Sequence, residues 1–192
     1  MPRFFFIFLI LFSINGFAQT IDKEEAQKAF KYLNIFRQNP NEEKRVIGLY
    51  EENFDKRPAL IWNETLAKVA EERAMDMAKN NYFSHADKRG IKVNVKIHRA
   101  GYKIDKFYRD KKFNAFESIQ AGADGGEDAI MRLIIDEGVK SLGHRKHLLG
   151  IDTGRGYPKN SSLVDCGIGF VQADGNSKYN TYTVVIIAKH GL

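Results

Sequence analysis

Apolar residues recur at helical spacing through most of the chain and give way to strand-like runs near its end. Ala26, Ala29, Phe30, Leu33, Ile35 and Phe36 place an apolar face on a first helix, which Pro40 closes. Asn41 to Tyr50 predicts a second short helix, and Arg57-Pro58-Ala59 leads into an extended Leu60-Ile61-Trp62. The clearest helix follows. Asn63 suits the N-cap, Glu64 suits the positive end, and Leu66, Ala67, Val69, Ala70, Ala74, Met77 and Ala78 repeat as far as Asn80-Asn81. That face reads as core, not as a cofactor box. Val93 to Ala100 predicts a short helix ended by Gly101, and Phe113 to Gln120 alternates as a strand does. After the turn-rich Gly122 to Gly126, the strongly apolar Asp128 to Ile135 predicts a helix running into Asp136-Glu137-Gly138, with one further helical turn at His144 to Leu149. Asp165 to Gln172 and Tyr179 to Lys189 are rich in Val, Ile, Tyr and Phe and flank Ala173 to Lys178, the pattern of a hairpin. Helices first, one strand between and a hairpin last predict an α+β fold in which helices cover a small sheet.

The first residues change the picture of where the protein works. Met1-Pro2-Arg3 is a short basic start, Phe4 to Ile14 is almost wholly apolar, and Gly16-Phe17-Ala18 offers the small residues a signal peptidase reads. Residues 1–18 are therefore expected to be a signal peptide, and 19–192 a single mature domain, secreted or periplasmic. The leader is too short to span a bilayer, which takes about 20 residues, and no later stretch approaches that length. Without Arg3, 29 Lys and Arg face 24 Asp and Glu, a balance of +5 against +6 for the full chain. Ten of those cations lie between Lys88 and Lys112. The stretch reads as a solvated loop, with an anionic surface as the alternative partner, and export argues against nucleic acid. The single cysteine, Cys166, cannot form an internal disulfide and reads as a buried thiol in a core strand.

The chain has no GxGxxG, GxSxG or HExxH pattern and no internal repeat. What remains is a set of imidazoles and carboxylates in ordered segments. Leu33 to Pro40, Leu60 to Ala70, Phe83-Ser84-His85-Ala86-Asp87, Phe116-Glu117-Ser118-Ile119, Leu133 to Val139, Gly143-His144-Arg145-Lys146-His147-Leu148-Leu149 and Cys166-Gly167-Ile168-Gly169-Phe170 follow one another from about Ala29 to the C-terminus. This succession resembles the CAP superfamily of SCP-like extracellular domains, which unites cysteine-rich secretory, antigen 5 and pathogenesis-related proteins, and in particular its bacterial branch. The chain departs from the usual pattern in reading Glu117-Ser118-Ile119 where relatives read Glu-Asn-Ile. It also carries only aliphatics in the helix before the second histidine, and lacks the eukaryotic disulfides.

The resemblance implies a three-layer α-β-α sandwich with a small central antiparallel sheet, and a cleft formed by His85, Glu117, Asp136 and His144. Glu137 is the fallback for the second acid. Two neutral imidazoles and two carboxylates suit a divalent cation such as zinc, with all four as candidate ligands and room for water. His147, three residues beyond His144, is a rival ligand but reads as a surface residue. His98 and His190 have no motif around them. The expected function is a ligand- or surface-binding module whose partner is a lipid, a glycan or a cell-envelope component. Tyr102, Phe107 and Tyr108 are the aromatics that could line a glycan-binding face. The alternative is an extracellular hydrolase, metal-dependent or using a histidine paired with an acid. No catalytic residue is assigned, because Ser84 and Ser141 are only sequence neighbours of the histidines.

Overall fold

A computed structural model describes residues 18–110, 114–152 and 159–190. All of the expected signal peptide except Ala18 lies outside the described residues, as does Phe113 of the predicted strand. The chain opens with strand β1 (Thr20–Ile21), helix α1 (Lys23–Gln38) and helix α2 (Pro40–Val46). Strand β2 (Ile61–Trp62), helix α3 (Glu64–Lys79) and helix α4 (Val93–Arg99) follow. Strand β3 (Glu117–Ala121), helix α5 (Gly126–Ile135), helix α6 (Gly143–Leu148) and the hairpin β4 (Asp165–Gln172) and β5 (Thr181–Ala188) complete the fold.

The local chemistry accounts for these boundaries. Asp22 caps α1 by accepting from the Glu25 N–H at 3.1 Å, and Asn63 caps α3 by accepting from Leu66 N–H at 3.1 Å. Pro40, which closes α1, opens α2 at a position where its missing N–H costs nothing. Helix α2 stops at Val46, short of the expected Tyr50. Ile35, expected on the buried face of α1, is 37% exposed, and Arg37 is buried in its place.

The sheet runs β1-β4-β5-β3, antiparallel throughout except that β2 lies parallel to β4 over two residues. The hairpin forms the centre, with Cys166 opposite Ile187 and Phe170 opposite Thr183, and β3 pairs with β5 as an edge strand. Side chains alternate across a strand, so each strand serves two layers. On β4, Gly167 and Gly169 face α3 so closely that a Cβ on Gly167 would lie 2.1 Å from the Ala67 nitrogen, and one on Gly169 would lie 2.3 Å from the Ala70 carbonyl carbon. Two glycines on the strand and Ala67 and Ala70 on the helix thus let backbone approach backbone. Helices α1 and α5 pack together on the opposite face, and α6 packs against α5 and β3. These three layers are the expected α-β-α sandwich. Cys166 is fully buried in the core as expected.

Candidate functional site

Strand β3 supplies the pivot of the site. Glu117 and Ser118 are consecutive and both buried, so they point into different layers. Glu117 faces the α3 layer. Its Oε1 accepts from the Arg73 Nε–H at 3.1 Å, and its Oε2 pairs with the His85 Nδ1 at 2.9 Å. The side chains of Arg73 and Glu117 are completely buried. Burial alone would lower the Arg73 pKa, but the Glu117 carboxylate more than offsets this and holds the guanidinium above its usual range. Arg73 also donates to the Ser84 carbonyl and to the Tyr82 hydroxyl, both at 2.8 Å, and Tyr82 in turn hydrogen-bonds Asp76. The guanidinium therefore fixes both the carboxylate behind His85 and the backbone next to it.

The loop carrying His85 is pinned from its other end as well. Asp87 accepts from the Arg89 and Ile91 N–H groups at 2.9 Å and from Lys96 Nζ at 2.8 Å. Burial would raise its pKa, but Lys96 and the two N–H groups hold it down to about 2.

The second histidine belongs to the α5–α6 layer. Helix α5 ends at Asp136, a buried residue in the left-handed region (φ 55°, ψ 39°), which aspartate tolerates better than most side chains. Its Oδ1 pairs with His144 Nδ1 at 2.7 Å, and its Oδ2 accepts from the His144 and Arg145 N–H groups at 3.0 and 3.2 Å. Asp136 is thus the acid that pairs with His144, whereas the fallback Glu137 is exposed. Arg145 locks this junction by donating to the carbonyls of Ile134 and Ile135 at 2.6 and 2.7 Å and to Glu52 at 3.1 Å.

The two imidazoles meet with ring centroids 6.2 Å apart and planes 30° from parallel, their side chains 35% and 24% exposed. The structure brings His85, Glu117, Asp136 and His144 together as two imidazole–carboxylate pairs rather than as four groups converging on a point. Each carboxylate takes the Nδ1 position, which makes Nδ1 the protonated nitrogen and leaves Nε2 as a lone-pair donor. Neither Nε2 has a hydrogen-bond partner among the described residues. Among those residues no three histidine, cysteine, aspartate or glutamate side chains could together hold a metal ion. Glu117 and Asp136 stand behind the two imidazoles, each at an Nδ1 atom. This arrangement does not fit the expected shell of four direct protein ligands.

His147 is corrected from surface residue to core residue. It is 7% exposed, its Nδ1 pairs with Ser118 Oγ at 2.8 Å, and its Nε2 lies 3.4 Å from the Ile187 carbonyl. Burial pulls its pKa down to about 4, so it is neutral at physiological pH. Ser118, the departure from Glu-Asn-Ile, is the residue that engages it. The proposed glycan-binding aromatics are also corrected: Tyr102 and Tyr108 are each 3% exposed, and of the three only Phe107 faces solvent. Arg73 was not singled out by the sequence, and Ser118 only as a departure from the family pattern. The signal for Arg73 is its place four residues from both Val69 and Met77, on the buried stripe of α3, where an arginine requires an acidic partner.

The sequence model of the CAP, cysteine-rich secretory protein family matches residues 30–154, so the chain belongs to that family. Solved structures that share its fold include two bacterial proteins. One is an extracellular protein containing an SCP domain from Bacillus anthracis, with a TM-score of 0.54 and 24% identity over 88% of this chain and 41% of that one. The other is an outer surface protein of Borrelia burgdorferi, with a TM-score of 0.54 and 18% identity over 91% of this chain and 98% of that one. The chain thus spans about two-fifths of the Bacillus anthracis protein. No curated protein sequence matches it. No helix among the described residues is long and apolar enough to cross a membrane.

Proposed function

We propose that this is an exported CAP-domain protein that acts as a binding module, with its cleft able to hold a divalent cation between His85 and His144. Export is supported by the basic and apolar leader of residues 1–18 and its Gly16-Phe17-Ala18 end. The observation that carries the site reading is the paired tautomer control: each imidazole has its Nδ1 fixed by a buried carboxylate, leaving both Nε2 atoms free as ligands. Such carboxylate–histidine pairs are what orient metal-binding imidazoles. A cation there would supply Lewis acidity and a water poised for ionisation. This chain's residues hold the two rings 6.2 Å apart, fix the proton on each Nδ1 and keep the supporting carboxylates away from solvent.

A binding role is favoured over a hydrolase with a hydroxyl or thiol nucleophile, because among the described residues neither imidazole is hydrogen-bonded to a serine, threonine or cysteine. Ser84 Oγ instead accepts from the Ala86 N–H at 3.2 Å, and Ser118 Oγ is occupied by the buried His147. Zinc titration by calorimetry, with elemental analysis of the protein as purified, tests the site against the double variant His85→Ala, His144→Ala. One zinc per chain, lost in the double variant, is the expected result. Absence of zinc binding, or binding that the double variant retains, refutes it.

A further inference from the structure

Among the described residues three arginines are buried, and two of them meet a carboxylate: Arg73 pairs with Glu117 and Arg145 with Glu52. Arg37 is the exception. It is 3% exposed, donates from Nε to the Pro58 carbonyl at 3.2 Å and from Nη1 to the Leu148 carbonyl at 2.6 Å, and has no acidic partner among the described residues. Burial, reinforced by the nearby Arg57, pulls its pKa down to about 10. At neutral pH it is nonetheless a cation by roughly a thousandfold. A buried charge satisfied only by neutral carbonyls is costly, and the cost is relieved by an anion.

Arg37 lines a cavity of about 120 Å³ between α1, the segment before β2 and the end of α6, walled in part by Pro40, Phe54 and Leu149. Two further groups on this cavity have donors to spare. Arg57 has a buried Nε–H with no hydrogen-bond partner, and Asp55, 3.7 Å from its Nη2, has a side chain 88% exposed to solvent. Asn53 accepts from Lys44 through Oδ1 at 3.3 Å, which leaves its amide N–H groups as donors. At about 10–15 Å³ of such space for a single water, the cavity holds several waters and has room for a compact polyatomic anion such as a phosphate group. The planar guanidinium fork matches two oxygens of such a group at once.

We propose that Arg37, Arg57 and Asn53 form a binding site for a phosphate-type oxyanion, distinct from the paired histidines. Inorganic phosphate titrated into the full chain at constant ionic strength, with chloride as the control, tests it by calorimetry and by the shift in melting temperature. Arg57→Gln is the informative variant, since Arg37 also ties two backbone segments together. Saturable one-site binding of phosphate but not chloride is expected, weakened at least tenfold by Arg57→Gln and tightened severalfold by Asp55→Asn, which removes the competing carboxylate. Glycerol 3-phosphate in the same series separates the sources: binding as tight as phosphate or tighter points to an esterified group, and weaker binding points to the free ion. A phosphate response no larger than that of chloride, or one that neither variant changes, overturns the proposal.

Discussion

The buried His147 makes stability depend on pH in a way that can be isolated. Its pKa is about 4 in the folded protein, owing first to burial and then to the charges of His144, Arg37 and His85, against 6.5 for a solvated histidine. Between those values the unfolded chain binds one proton that the folded chain does not, so stability rises with pH across the window and falls as pH is lowered through it. At 1.36 kcal/mol for each pH unit, a window of about 2.5 units corresponds to roughly 3 kcal/mol lost between neutral pH and pH 4. A large part of a typical domain's stability is therefore at stake. Urea unfolding of the wild type and of His147→Gln, measured every half unit from pH 4 to 7.5, isolates the effect. The other ionisable groups titrate in both proteins and cancel in the difference, while glutamine can still bond Ser118 and the Ile187 carbonyl. The difference in unfolding free energy should narrow steadily below pH 6.5, with a slope approaching 1.4 kcal/mol per unit. A difference that stays constant from pH 7.5 to pH 4 would refute the claim that a neutral, dry imidazole sits at this position.

Asp136→Asn, which keeps the acceptor for the two N–H groups but not the ionic partner of His144, should weaken zinc binding by about 10- to 100-fold in calorimetry. Glu137→Gln should leave binding unchanged, and the reverse ranking would move the second acid to Glu137. Gly167→Ala drives a Cβ into the α3 backbone, and overpacking of this kind costs about 1–3 kcal/mol or more; a loss below about 0.5 kcal/mol in chemical denaturation would show that the helix can lift away freely. Glu117→Gln leaves the fully buried Arg73 with only the partly exposed Asp76, 3.7 Å from its Nη1, as counter-charge and should destabilise by about 3 kcal/mol, the lower end for a broken buried pair, with a melting temperature near that of the wild type as the contrary result.

The apolar stripes of α1 and α3, the apolar run of α5 and the terminal hairpin were legible because burial imposes a period on the sequence. The four residues that the structure brings together as two imidazole–carboxylate pairs were reached instead through the order of the segments around them. The charged residues inside the apolar stripes were less legible. Arg37 and Arg73 each stand four residues from a buried partner, Leu33 and Val69, and so occupy core positions; the Arg37 guanidinium ends on the distant Pro58 and Leu148 carbonyls, and that of Arg73 on Glu117, 44 residues away, as well as on the nearer Tyr82 and Ser84. His147 was misread for a different reason. Helix α6 has only six residues and is covered by both α5 and β3, so there is too little periodicity to mark a buried side. Glu117 and Ser118 illustrate the same limit, since alternation says that they part ways but not which layer each one meets.

Because His85 and Glu117 belong to the α3 layer whereas His144 and Asp136 belong to the α5–α6 layer, whatever bridges the two imidazoles also bolts one outer layer of the sandwich to the other around the free edge of β3. Its affinity is then a gauge of how readily the layers part. Any bridging occupant at a hundred times its dissociation constant would add about 2.7 kcal/mol to the free energy of separating the layers, a fastening that a chain with a single cysteine cannot obtain from an internal disulfide.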